Sequence, residues 1–303
     1  MNAVELDHVT KTFGTTLAVD DLSLHVPAGS IYGFIGPNGS GKTTTLRMVL
    51  NIFRPDAGEI RLFGERPHGS RDARVGYLPE ERGLYPRMKV REFLWFIGEL
   101  RSGQARRPDV DAWLERFELT GCTERKIEAL SKGMAQKVQF IAAVLGEPKL
   151  LVLDEPFSGL DPVNTDVLRR AVLDLRAGGA TVVFSTHDMA MAERLCDFIF
   201  MIFRGRKVLD GTLTAIQDRY ALDTVRVSVE AGHPLPAPLP GVARVEDTGN
   251  LKELRLEPGA DPQTVLTELM RRTRLRSFEI TKPSLHDIFV RIARPEPQEA
   301  SHA

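Results

Sequence analysis

Cysteine is nearly absent. Cys122 and Cys196 are the two in 303 residues, far apart and outside any C-x-x-C spacing. That excludes a disulfide scaffold and a cysteine zinc site, and a reducing compartment is expected. The seven histidines form no H-x-x-x-H pair. No apolar run approaches the roughly 20 residues that span a bilayer. The longest, 198–203, suits a buried strand instead. The N-terminus lacks a basic segment followed by an apolar one, so no secretory leader is expected. Charge excess is missing too: 40 Lys plus Arg oppose 41 Asp plus Glu. This argues against a protein dominated by a nucleic-acid-binding surface. There is no solenoid-period repeat and no low-complexity tract beyond four prolines within 233–240. What the chain has is 42% apolar residues, enough for a core, in a length that holds two domains of roughly 100–200 residues.

One stretch organises the rest. Gly36-Pro37-Asn38-Gly39-Ser40-Gly41-Lys42-Thr43 fits G-x-x-x-x-G-K-[ST], the phosphate-binding loop. Residues 30–35 before it read as a short buried strand, and Thr44 with the residues after it read as a helix start. Glycine lets the backbone approach phosphate oxygens, and the helix N-terminus offers free N–H groups and a positive dipole end. Lys42 is placed to reach the β- and γ-phosphates, and the Thr43 hydroxyl to ligate Mg²⁺.

The chain in order reads as strands at 5–13 and 16–26, the loop strand, then strands at 59–63 and 75–78. Residues 66–74 read as loop, and 79–86 as an irregular segment between two prolines. Residues 84–146 are almost all helix, an insert on an α/β core. An unbroken apolar run at 150–153 reads as a buried parallel strand. A helix capped by Asp161 with Pro162 at its first position follows. A strand at 180–185, a short helix, a hairpin at 198–210 and a helix at 212–218 come next. From about residue 220 the pattern is β-β-α-β-α, a small α+β domain, and 294–303 reads as a polar tail. The expected division is 1–219 for the domain built around the phosphate-binding loop, 220–293 for an accessory domain and 294–303 for the tail.

Asp154 and Glu155 end the buried strand at 150–153, where open α/β sheets bind ligands. Asp154 is placed to hold Mg²⁺ through water, and Glu155 to orient or deprotonate an attacking water. His187 ends the next strand, where a histidine can sense a γ-phosphate; a structural role fits its position as well. Phe13 precedes a Gly-Thr-Thr turn, and its spacing fits a base-stacking platform and a strand-end core aromatic equally. Leu130-Ser131-Lys132-Gly133-Met134 opens a long helix, with Ser131 as cap and a second anion-binding helix start. One phosphate loop with two such helix starts points to a head-to-tail dimer.

With these residues in place, the chain resembles the nucleotide-binding subunit of an ABC transporter. The resemblance rests on the Walker A loop at 36–43, the Walker B strand at 150–155 and the D-loop Ser158-Gly159-Leu160-Asp161. It is completed by the switch His187 and the signature 130–134, and it covers about residues 4–218. It implies a P-loop NTPase fold, an α/β core with an antiparallel β subdomain and a helical insert. It further implies hydrolysis of ATP with Mg²⁺, adenine stacking on Phe13, and contact of Ser131 and Gly133 with the γ-phosphate across a dimer. Asp161 would communicate between the two sites. Two departures stand out. Lys132 and Met134 replace the first glycine and the glutamine of the usual Leu-Ser-Gly-Gly-Gln. Glu80 replaces the glutamine that usually touches Mg²⁺ and water, placing a second carboxylate beside Glu155.

The segment 77–88 and the C-terminal Pro283-Ser284-Leu285-His286-Asp287-Ile288-Phe289 are similar to the branch with sodium-export and daunorubicin-resistance ATPases. The resemblance implies partners: a separate integral-membrane permease and a second ATPase subunit, with peripheral attachment at the cytoplasmic face and no direct nucleic-acid contact. An ABC ATPase acting on ribosomes or nucleic acid is the alternative, as is a regulator that binds ATP but barely hydrolyses it.

Overall fold

The computed structural model describes residues 1–67, 72–81, 83–102, 107–220, 224–230, 233–247, 251–257, 259–280 and 282–293. The expected tail at 294–303, and parts of the loop at 66–74 and of the segment at 79–86, lie outside them. The chain divides into two compact units, Met1–Thr212 and Leu213–Ala303.

The first unit is built on a six-stranded sheet, β3 (Ile31–Ile35), β5 (Val75–Leu78), β6 (Leu150–Asp154), β7 (Thr181–Thr186), β8 (Phe198–Phe203) and β9 (Arg206–Thr212). Its order is β5-β6-β7-β3-β8-β9. The first five strands run parallel and β9 returns antiparallel, closing the expected hairpin. The apolar runs of β6 and β7 do not alternate with polar residues because both faces are covered. Leu150, Val152 and Val183 face one core with Tyr32, Phe34 and Phe200. Leu151, Leu153, Val182 and Phe184 face the other.

The first core is closed by an antiparallel sheet of β1 (Asn2–Phe13), β2 (Thr16–Pro27) and β4 (Ala57–Leu62), with α1 (Lys42–Val49). The second is closed by α2 (Val90–Ser102), α3 (Arg107–Arg116), α4 (Lys132–Val144) and α5 (Pro162–Ala177). The antiparallel subdomain and the helical insert are therefore both present. Short 3₁₀ turns at Thr120–Cys122 and Ile127–Ala129 link the insert's helices. α6 (Met189–Leu195) joins β7 to β8.

The second unit contains α7 (Leu213–Tyr220), β10 (Thr224–Val229), β11 (Val242–Asp247), β12 (Lys252–Leu256), α8 (Pro262–Arg272), β13 (Leu275–Ile280) and α9 (Leu285–Ala293). Its sheet order is β11-β12-β10-β13. Two points differ from the sequence reading. β11 was not expected, because five of its six residues are exposed and no apolar face marks it; pairing with β12 holds it. The expected boundary after 219 would leave α7 with the ATPase domain, whereas α7 groups with the C-terminal unit. Gln217 donates to the Pro283 carbonyl at 3.1 Å, and Asp218 pairs with Lys282.

α4 is seated on the sheet through a glycine. A Cβ on Gly76 of β5 would stand 2.3 Å from the Ala143 carbonyl of α4 and 2.9 Å from Pro148 Cγ. Gly76→Ala is expected to cost about 1–3 kcal/mol by overpacking this contact, read as a lower urea midpoint for the unfolding of the first unit.

Candidate functional site

The parallel register decides which residues meet. Ile35 lies opposite Thr186, Asp154 opposite Ser185, and Leu78 opposite Leu153. The C-terminal ends of β3, β5, β6 and β7 therefore line up on one edge, the usual ligand crevice of such sheets. There the phosphate loop leaves β3 and enters α1. A Cβ on Gly36 would come within 2.2 Å of the Ile202 carbonyl. Gly41, at φ 109°, lies against the Ala18 carbonyl, 2.6 Å from where a Cβ would sit. The loop can thus pack this tightly against β8 and β2 only with glycine at these positions, and it also meets the β8–β9 turn. Gly205 of that turn donates to the Ser40 carbonyl at 2.9 Å.

Lys42 is 5% exposed. Its Nζ donates to the carbonyls of Gly36 at 2.7 Å and Pro37 at 3.1 Å, and stands 3.7 Å from Glu155 Oε1. Burial pushes the Lys42 ammonium below its ordinary value, and the Glu155 and Asp154 carboxylates oppose that shift.

Asp154 is fully buried. Its Oδ1 accepts from the Thr43 hydroxyl at 3.2 Å and from the Ser185 hydroxyl. Its Oδ2 is buried without a hydrogen-bond partner. Glu155 has a left-handed backbone, φ 49°, a conformation that costs on the order of 1–3 kcal/mol in a non-glycine residue and gathers at functional sites. Its N–H donates to the Ser185 hydroxyl at 2.9 Å. Ser185 thereby ties both acids to β7. His187 Nδ1 lies 3.1 Å from each Glu155 carboxylate oxygen.

An open cleft of about 500 Å³ lies at this edge; Asp154, Ser185 and His187 support its wall through Thr43 and Glu155 but are not among the residues that line it. Asn38, Gly39, Gly41, Lys42, Thr43 and Thr44 line it, with Glu80, Glu155 and Arg204 facing the loop. Phe13 is not among the lining residues. It is 43% exposed, rests edge-on against Phe53, and pairs in register with Thr16, which does line the cleft.

Among the described residues no cluster of three His, Cys, Asp or Glu side chains is set to hold a metal. The donors here are instead a hydroxyl and carboxylate oxygens, with one Asp154 oxygen left unsatisfied. That set fits Mg²⁺, which takes a few protein oxygens and completes its shell with phosphates and water.

Ser131 and Gly133 lie elsewhere on the chain. Ser131 caps α4, its hydroxyl accepting from the Met134 N–H at 3.3 Å. Gly133 faces Asn164 and Leu160, and the Lys132 ammonium folds over Gly159. Asp161 caps α5, accepting from the Asn164 N–H at 2.9 Å, and this bond holds its carboxyl below the ordinary value. None of Ser131, Gly133 and Asp161 lines the cleft. α4 nevertheless reaches the cleft's edge from behind: Gln136 donates to the Pro156 carbonyl, and Gln139 to those of Pro79 and Glu81 on either side of Glu80.

Three contributors escaped the sequence reading. Ser185 stands near the end of a strand that also begins on a polar residue, Thr181, so its polarity alone gives no signal. From sequence, Arg204 is a turn residue and Gln139 one position of a long helix.

Comparison with known proteins agrees with this geometry. The family described as "ABC transporter" matches residues 19–158, and that described as "ATP-binding protein DrrA1-3-like, C-terminal domain" matches residues 211–293. An ABC transporter ATP-binding protein of Bacillus subtilis is 40% identical over 94% of this chain and 96% of its own length. A Nod factor export ATP-binding protein I of Burkholderia lata is 36% identical over 98% of each. A solved structure of an ATP-binding subunit of an ABC transporter superposes with a TM-score of 0.66 at 30% identity, covering 73% of this chain and 94% of that one. The phosphate loop, Asp154, Glu155 and His187 along one edge of the sheet, with relatives along nearly the whole chain, place this protein among the ATP-binding subunits of ABC transporters, which hydrolyse ATP to drive transport.

Proposed function

We propose that two copies of this subunit, or this subunit and a similar one, close head to tail around two ATP molecules and power export through a separate membrane permease. The observation that carries the dimer is the separation within one chain of the two anion-binding helix starts. The cleft holds the phosphate loop, while Ser131 and Gly133 open α4 on another surface. A partner's α4 start covering this cleft would complete each site, with Asp161 at the junction. Export is the direction named for the Burkholderia relative. Among the described residues no helix is long and apolar enough to cross a membrane. As an ATP-binding subunit of this family, it would work peripherally, from the cytoplasmic face.

Glu155 is the proposed base for the attacking water. Its distance from Lys42 and His187 keeps the carboxylate oriented toward the phosphate loop. His187 would hold both that carboxylate and the γ-phosphate, and Lys42 the β- and γ-phosphates. Gly36, Pro37, Asn38, Gly39, Ser40, Gly41, Thr43 and Thr44 would wrap the phosphates with backbone N–H groups. Phe13 would stack on adenine. Thr43, Asp154 and Glu80 would hold Mg²⁺, which supplies charge neutralisation at the phosphate oxygens. A relative acting on ribosomes or nucleic acid is not favoured, since the relatives described above are transporter subunits.

Coupling to the permease would run beside Glu80. A groove of about 420 Å³ lies there, lined by Tyr77, Leu84, Phe93, Ile97 and Leu100. Tyr85, Phe96 and Leu100 are large apolar residues left exposed on the insert. A short amphipathic segment from a permease loop fits such a groove.

Glu155→Gln is expected to lower ATP turnover by roughly 10²–10⁴-fold while ATP now drives a stable dimer, seen by size-exclusion chromatography; a monomer at saturating ATP would sink the head-to-tail arrangement. Ser185→Ala removes the hydroxyl that ties Asp154 to the Glu155 N–H, and is expected to cost about tenfold or more in turnover with ATP binding little changed. Glu80→Gln removes one carboxylate from the cleft. It is expected to raise severalfold the Mg²⁺ concentration needed for half-maximal binding of a fluorescent ATP analogue, since ligand charge sets affinity for a hard cation.

A further inference from the structure

The sheet of the C-terminal unit buries one face. Val225, Val227, Leu254 and Leu256 pack there with Val265 and Leu269 of α8. The alternate residues point the other way, and most of them are charged. Register sets Arg244 beside Arg255, and Arg255 beside Thr224, in one row. The next row sets Glu246 beside Glu253, and Glu253 beside Arg226. α9 adds His286, Asp287 and Arg291 at i, i+1 and i+5, and together they enclose a cavity of about 210 Å³.

The charges in this cavity do not balance. Four arginines, 226, 244, 255 and 291, face three carboxylates, 246, 253 and 287. Every carboxylate is already engaged. Glu253 accepts from Arg226 Nε at 2.7 Å, and Glu246 lies 3.3 Å from Arg244 Nε. Asp287 accepts from the Ser284 N–H at 3.0 Å and from the Ser284 hydroxyl. Arg255 has no hydrogen-bond or ion-pair partner among the described residues. Arg291 has one contact there, to the Tyr220 carbonyl at 3.5 Å. Arg244 and Arg255 stand directly opposite each other, and like charges so placed repel. An anion between them would turn that repulsion into binding.

We propose that this cavity binds a phosphomonoester group, with Arg255 and Arg291 as its principal ligands and Arg244 and Thr224 beside them. One guanidinium fork matches a planar carboxylate. Forks arriving from a sheet and from a helix suit a tetrahedral dianion, whose oxygens point in several directions. The volume falls below the roughly 300–1,000 Å³ of sites that enclose drug-sized ligands, so it takes the phosphate head and leaves the remainder outside. A soluble phosphorylated metabolite and a lipid headgroup both carry this group. Its lining lies wholly in the C-terminal unit and shares no residue with the nucleotide cleft, so the proposal does not depend on how that cleft works.

The test uses the full chain with its cleft saturated by Mg-ADP. Glycerol 3-phosphate is titrated calorimetrically, and co-sedimentation is measured with phosphatidylcholine vesicles with and without phosphatidic acid. Saturable binding of either probe is expected, weakened at least about tenfold by Arg255→Gln combined with Arg291→Gln, with ADP affinity unchanged as the check on folding. Should that double variant lose ADP affinity, Arg255→Lys alone replaces it, and a severalfold weakening is expected because charge is kept and the fork lost. Response to glycerol 3-phosphate identifies a soluble ligand, and response to the vesicles alone a headgroup. The proposal is overturned if neither probe binds, if the arginine variants bind as the parent does, or if Lys42→Ala abolishes the binding.

Discussion

Keeping a lysine charged inside the protein is the constraint on which the nucleotide edge of this sheet depends. The Lys42 ammonium has lost nearly all its water, and burial alone would favour the neutral form. Two loop carbonyls and the neighbouring carboxylates replace that water. The replacement requires the loop to bend back over its own lysine, which is why glycine occupies the positions pressed against the Ile202 and Ala18 carbonyls. It also requires two buried acids nearby, and buried acids need holding in turn. Ser185 meets both needs from the neighbouring strand, donating to one acid and accepting from the backbone of the other. The left-handed backbone at Glu155 is strain that this network sustains.

The helical insert serves the same edge from behind. α4 starts at Ser131 on a different surface from the cleft, yet two of its glutamines grip the backbone around Glu80 and after Glu155. Movement of α4, whether imposed by a second subunit at its start or by a permease beside the insert, therefore reaches the carbonyls of Pro79, Glu81 and Pro156. This gives the proposed coupling a physical path through hydrogen bonds and packed side chains rather than through distance alone. The departure at Lys132 belongs to the same region: its ammonium covers Gly159 of the D-loop within one chain.

In the C-terminal unit the two sheet faces have opposite characters. One is an ordinary apolar core under α8. The other carries paired rows of like and unlike charges, with two arginines opposed across a strand pair. Charge of that density on a sheet face is costly unless something answers it, and within the unit the carboxylates are already engaged.

The motifs of the nucleotide edge can be read from the chain alone. Spacing around Gly36 to Thr43, and Asp154-Glu155 behind an unbroken apolar run, could be read because each motif is local and its residues are neighbours on one strand, turn or helix start. Fold class, insert and second domain were legible for the same reason, through periodicity. Tertiary structure decided what meets what. Ser185, Arg204 and Gln139 carry no local signature, and they join the site because parallel strand register and helix packing bring together residues far apart in the chain. β11 was missed because an exposed edge strand has no apolar face to announce it, and α7 changed units because its contacts lie with residues far downstream. Likewise, nothing local separates the start of α4 from the cleft; that separation follows from how α4 packs on the sheet.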